Sequence, residues 1–297
     1  MKRAVVFSLL GILFCMMANA QEKKQKFNIT TQLGYFQEDF RWSIAGINDN
    51  NNYVNILSEL RWENLRGPQA NINLQYNFWK GFFVQGNFST SLILSGSVTD
   101  TDFGEDNRKD TLYHDTFDSN EGNIISFGGS LGYKIKFHEN YSISPFIGFS
   151  SNQQSLYIVE VPGGLLTDLR CTYETQWNGL TLGLDSKIPI GKFIIQPLII
   201  YHQVNYSAKA NWNLIETFKH PVSFTHDAKG FGIEPALNFH YTLNKTISIL
   251  LGGKSGYWST GKGVDTLYLT DGSTSTTQLN GAIRNNWSIN LGASFSF

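Results

Sequence analysis

Cysteine, methionine and proline are all scarce, at two, three and seven residues among 297. Cys15 lies in an amino-terminal apolar run, so a chain that has lost this run keeps only Cys171 and can form no internal disulfide. Charge of one sign is lacking as well. The formal net charge is −1, and removing the two cations Lys2 and Arg3 takes it to −3, with no basic cluster that would serve a nucleic-acid partner. Long apolar stretches are absent apart from Ala4 to Ala18, which excludes a bundle of membrane-crossing helices. There is no phosphate loop, no His-Glu-x-x-His helix, no serine elbow and no Cys pair, so neither a metal nor a cofactor is expected.

What is present begins with that apolar run. It follows Lys2 and Arg3 and leads into Ala18-Asn19-Ala20, the pattern of a secretory signal over residues 1–20 with cleavage before Gln21. The other end of the chain alternates without a break. Trp287, Ile289, Leu291, Ala293, Phe295 and Phe297 fall on one face, and Ser288, Asn290, Gly292, Ser294 and Ser296 on the other. A transmembrane strand needs ~9–11 tilted residues with one face in lipid and one in a wet lumen. Such a strand cannot stand alone, because every N–H and C=O must be paired within a closed sheet.

The same alternation recurs along the chain. It predicts strands over 27–40, 54–78, 82–94, 125–135, 141–158, 174–188, 193–213, 231–241, 247–251 and 287–297, with short turns and long polar loops in turn. The fold class read from this is all-β: a ten-stranded antiparallel transmembrane β-barrel occupying 21–297 as a single domain, in the bacterial outer membrane. Both mature termini are expected on the short-turn side. In the second strand, Val54, Ile56, Leu60 and Trp62 share parity with Ile72, Leu74 and Tyr76. That parity predicts one long strand with a bulge at Gly67-Pro68, and it places Glu59, Arg61 and Glu63 in the lumen, where with the Asn ladder they would block a pore.

Chemistry, if present, centres on Asp100-Thr101-Asp102. Two carboxylates at i and i+2 on a strand point the same way and can hold a water between them or raise one another's pKa. The bland alternative is a solvated acidic loop, since Glu105, Asp106, Asp110, Asp115 and Asp118 follow.

Several positions together resemble the omptins, outer-membrane aspartyl-type proteases on a ten-stranded barrel. Leu60-Arg61-Trp62 looks like that family's second strand. Val98-Thr99-Asp100-Thr101-Asp102-Phe103 is similar to its Val-Asp-x-Asp-Trp loop, with Thr99 inserted. Lys262-Gly263, Leu267-Tyr268 and Asn280-Gly281-Ala282 are similar to its last loop and strand. The resemblance implies a water activated between Asp100 and Asp102 on one side and an Asp-x-His pair on the other. At the matching position this chain has Asn211-Trp212-Asn213, which offers neither acid nor imidazole. His226-Asp227 and His220, further along, or His202 on the seventh strand, are the substitute candidates. Glu38 matches an acid that holds a basic substrate residue.

The reading preferred from sequence is a barrel that keeps the omptin-like scaffold without omptin proteolysis and serves as a surface, interaction or small-pore protein. The alternatives are an endopeptidase with a rebuilt Asp-His half-site, and a porin. The expected partners are outer-membrane lipid, including lipopolysaccharide, and a peptide or surface ligand at the outer mouth.

Overall fold

The computed structural model describes residues 26–48, 50–137, 141–160 and 168–297. The expected signal segment and the turn at 138–140 lie outside the described residues. All of the regular structure is strand: β1 (Phe27–Ile47), β2 (Tyr53–Trp79), β3 (Phe82–Leu92), β4 (Ser95–Glu105), β5 (Lys109–Asp118), β6 (Gly122–Tyr133), β7 (Ile135–Phe137), β8 (Tyr141–Val159), β9 (Arg170–Ile190), β10 (Phe193–Asn211), β11 (Phe224–Thr242), β12 (Ile247–Thr260), β13 (Gly263–Tyr268) and β14 (Thr274–Ser296). Ten of them form one antiparallel ring, β1-β2-β3-β6-β8-β9-β10-β11-β12-β14, which closes where β14 pairs with β1. The other four continue ring strands. The β4–β5 hairpin extends the wall by pairing with β2 at Ser58–Arg66, β7 prolongs β6 against β8, and β13 bridges β11 and β14.

The ten-fold count therefore holds, but the expected loops are much shorter than alternation suggested. Most of 95–123 is the β4–β5 hairpin, and β13 with the start of β14 fills most of 261–281. These segments stand outside the lipid, so their outer face is polar and the hydrophobic period that marks a membrane strand fades, while the hydrogen-bond ladder continues.

In the lower half the outward face is apolar, as the terminal strand predicts: Leu33, Leu180 and Leu291 are 71%, 60% and 62% exposed. Two aromatic girdles bound this band. Tyr35 packs on Trp287 at 6.1 Å at one edge, with Tyr201, Phe231 and Tyr257 in line; at the other, Phe82 meets Tyr133 at 4.8 Å and Phe193 meets Tyr241 at 5.1 Å. From Trp287 to Phe295 the strand climbs roughly 20 Å at ~3.3 Å per residue and ~40° tilt, close to the band expected of a barrel in lipid. The termini meet at the second edge, where Lys26 N donates to Phe297 O at 2.6 Å.

One expectation fails here. β2 is a single strand of 27 residues, but its bulge lies at Asn64 and not at Gly67-Pro68: Glu38 faces Leu65 while Phe40 faces Trp62, and Asn64 takes φ 55°. The extra residue exchanges the faces. Below it Gln69, Asn71 and Asn73 point inward; above it Leu60 and Trp62 do, both essentially fully buried. Glu59, Arg61 and Glu63 consequently point outward. Glu59 is covered there by Arg61 and by Arg108, with ion pairs of 2.5 and 2.6 Å.

The interior changes character at the same level. Above it lies an apolar core containing Phe40, Trp42, Trp62, Tyr173, Trp177, Tyr206 and Trp258. Tyr173 on β9 packs against both Phe40 and Trp42 on β1 at 5.8 Å. β1 and β9 are five places apart in either direction round the ring, so these rings touch across its full width. The lumen is closed there by aromatic packing, not by the residues the sequence suggested. Below, the lumen is polar and holds a cavity of about 260 Å³.

Candidate functional site

β4 carries Asp100 and Asp102 above the upper girdle, on the inner face of the wall. Asp100 lies opposite Leu60 on β2 and Asp115 on β5, in the cross-strand row that also holds Trp42. Asp100 is 6% exposed, and its Oδ1 has no hydrogen-bond partner among the described residues. Burial raises its carboxyl to about 8, and the neighbouring Asp102 and Asp115 push the same way against the lowering pull of the Thr101 amide. Asp102 is also raised by burial, countered by a hydrogen bond from Ser58. The Tyr113 phenol, across the hairpin from Asp102, is pushed up to about 12 by burial and then by the charges of Asp100, Asp115 and Asp102. At neutral pH Asp100 therefore holds its proton. It can donate, but it is not a base.

The second half-site candidates separate. His226 and Asp227 are neighbours on β11, and strand geometry turns them to opposite faces: His226 is fully buried and Asp227 is exposed. Their side chains therefore do not face one another. His226 Nδ1 is 2.7 Å from the Tyr173 hydroxyl, which is 2.6 Å from that of Tyr206. Its Nε2 lies 3.0 Å from Asp265 Oδ1, at ion-pair distance without the alignment of a hydrogen bond. Asp265 comes from β13 and accepts from Thr277 at 2.9 Å. The sequence reading missed Asp265 because its segment read as a polar loop.

Asp100 and His226 are not brought together. The row Asp100–Leu60–Trp42 sets an aliphatic side chain and an indole between them, with the His226 ring packed on Trp42 at 4.7 Å. Asn213 is a tether: its Oδ1 accepts from the Arg170 amide at 3.1 Å and from Cys171 Sγ at 3.2 Å, and its amide nitrogen donates to Asp168 O. The Cys171 thiol is pushed up to about 11 by burial, which leaves it protonated and inert. His220 is exposed and bonded to Asn211, while His202 sits in the lumen between Ser150 and Glu234 at 3.0 Å from each.

Glu38 is not at the lip. It is 1% exposed in the interior, where its carboxylate accepts from Arg284 Nε at 2.6 Å and from the Gln154 amide. Gln154 in turn accepts from Thr175 at 2.7 Å and Trp177 Nε1 at 3.1 Å. This arrangement ties four strands together beneath the aromatic closure and occupies both oxygens of the Glu38 carboxylate. Among the described residues no group of His, Cys, Asp and Glu is placed to hold a metal ion.

Comparison with solved structures places the fold. The chain superposes on the outer membrane protease OmpT of Escherichia coli with a TM-score of 0.73 at 13% identity, covering 94% of this chain and 99% of that one. The translocator domain of the autotransporter NalP of Neisseria meningitidis matches at 0.42 and 8% identity, over 100% of this chain and 98% of its own. OprG of Pseudomonas aeruginosa matches at 0.35 and 12%, over 93% and 97%. At these identities the likeness to OmpT is one of fold alone, and the other two scores carry no argument. No curated protein matches the sequence. A family model does, over residues 30–297, nearly the whole described barrel. The chain is an outer-membrane β-barrel and belongs to the Protochlamydia outer membrane protein (Pom) family.

Proposed function

We propose that this barrel acts through its outer surface, as an interaction protein anchored in outer-membrane lipid, and neither as a diffusion pore nor as an omptin-type peptidase. The observation that supports this most is the aromatic closure built on Tyr173. It fills the ring where a pore would have to be open, and it encloses His226, the imidazole sought as a substitute base. A general base must reach the water it deprotonates. His226 is enclosed by Trp42, Tyr173 and Phe224, and Asp100 is protonated near neutral pH. The outer surface offers the β4–β5 hairpin, and Arg41 and Arg66 stand outward above the girdle, facing the level of lipid phosphates and surface ligands.

The test is refolded protein supplied with lipopolysaccharide and a fluorogenic peptide carrying Arg-Arg, beside an Asp100→Ala variant. No turnover is expected from either. Turnover by the parent that disappears in Asp100→Ala would overturn the proposal in favour of a peptidase. Steady nanosiemens steps in planar bilayers would overturn it in favour of a pore.

A further inference from the structure

The lower lumen has a composition that an inert filling does not need. Six of its amide side chains, Gln32, Asn73, Gln85, Asn87, Asn152 and Asn238, line the cavity of about 260 Å³ and make no side-chain hydrogen bond to any described residue. Asn152 is itself only 6% exposed. Asn87 is exposed to the lumen and the other four are half-buried, so these amides face the cavity with both donors and acceptors to offer. Other amides of the same lining do pair: Asn71 donates to Asn290 at 3.0 Å, and Gln196 donates to Asp185 at 2.9 Å. The lining thus holds both satisfied amides and six with hydrogen-bonding capacity to spare.

Two further features fix what would satisfy it. The formal charges lining the cavity balance, with Asp185 and Glu234 against Lys187 and Lys254, so neither an anion nor a cation is favoured. The wall is also cut back under the amides. A Cβ at Gly252 would stand 2.2 Å from Asn238 Oδ1 and 3.2 Å from Gln32 Nε2, and one at Gly128 would stand 2.9 Å from Asn87 Oδ1. An acceptor and a donor thus lie side by side over Gly252, the pairing that a hydroxyl, which both donates and accepts, can use with both of its functions. Phe146, an inward ring, adds an apolar surface within the same lining. The cavity is sealed above by the aromatic core, and its lining runs down to Asn28 and Ser294 beside the paired termini, so its mouth is at the short-turn end.

We infer that the lower lumen is a dead-end binding site, entered from the short-turn side, for a neutral hydroxyl-rich molecule of one or two sugar rings. The volume falls just under the roughly 300–1,000 Å³ of ordinary small-molecule pockets. The site is separate from the outer surface, so it stands whether or not the outer end proves to be an interaction surface.

Isothermal titration of the refolded protein, in a detergent without a sugar headgroup, tests this with N-acetylglucosamine, trehalose and maltose as probes. Sodium phosphate and lysine serve as charged controls. The expected result is saturable binding of at least one sugar with a millimolar Kd, none for the controls, and at least tenfold weakening in Asn152→Ala and in Asn87→Asp. Absence of saturable binding by all three sugars in the unvaried protein would overturn the inference, so a variant that fails to fold does not leave it open. Equal binding of phosphate or lysine, or unchanged affinity in both folded variants, would overturn it too.

Discussion

Glu38 and Arg284 stand on the two strands that close the barrel, and their side chains meet at 2.6 Å in its interior, 246 residues apart in sequence. Both are almost fully buried, and Arg284 Nη1 has no further partner among the described residues. Removing one member of a buried pair leaves the other charge uncompensated, at a cost of about 3–5 kcal/mol, while replacing both by apolar groups is far milder. Glu38→Ala and Arg284→Ala should each lower the urea midpoint of unfolding sharply, and Glu38→Leu combined with Arg284→Met should recover much of it. A double variant as weak as the sum of the singles would contradict this account of the seam.

The face assignment of the last strand predicts an asymmetry between neighbours. Leu291 and Ile289 face lipid, whereas Ser294 is turned into the lumen and is 7% exposed. A charge on the lipid face costs ~2–4 kcal/mol near the midplane. Leu291→Asp and Ile289→Arg should reduce the folded, heat-modifiable fraction on gels, and Ser294→Asp should reduce it less.

Asp100 predicts a pH dependence of definite sign. Its folded carboxyl titrates at about 8 because it is buried, against an ordinary value near 3.8. Between these values the folded state holds a proton that the unfolded chain has released. Stability therefore falls as pH rises through this window, by up to about 1.4 kcal/mol per pH unit, and levels off above it. Asp100→Asn removes the titration. Its urea midpoint should match the parent's near the lower end of the window and exceed it increasingly towards pH 8, with a constant gap beyond. A gap independent of pH would show that Asp100 is ionised in the folded barrel.

The bulge on β2 gives a fourth test. Deleting Asn64 restores an unbroken two-residue period, so the strand would have to turn Leu60 and Trp62 outward and Glu59 and Arg61 into the aromatic core. Loss of the heat-modifiable band is expected on deletion, with Asn64→Gly, which suits the positive φ, tolerated. Normal folding of the deletion variant would mean that the two halves of β2 are not locked in register.

The membrane half of the fold was legible because lipid on one side and water on the other impose a strict period, as in Trp287–Phe297. The outer half was not. Above Asn64 the wall faces water outside and encloses packed rings inside, so the apolar face is the inner one, and a parity carried straight through assigns Glu59, Arg61 and Glu63 to the wrong side. Asp100 and Asp102 could be picked out as a same-face pair from their spacing. The burial of His226 could not, because its neighbours Trp42, Tyr173 and Asp265 come from strands far away in sequence. Glu38 was singled out by the resemblance as an acid near the lip, and its burial was not legible, because Arg284 and Gln154, which occupy its carboxylate, give no local signal.

The exchange of faces at Asn64 also acts as a waterline. Below that level the outward residues of β1 run from Leu33 and Tyr35 to Gln37, which pairs with Arg66; level with it and above are Asp39 and Arg41. A barrel that sank by one outward residue would carry Gln37 into hydrocarbon, and by two would carry Asp39. One that rose by the same step would strip lipid from the Tyr35–Trp287 pair. Immersion depth is thus held from both directions, and the β4–β5 hairpin is kept at a fixed height above the bilayer by the wall it extends.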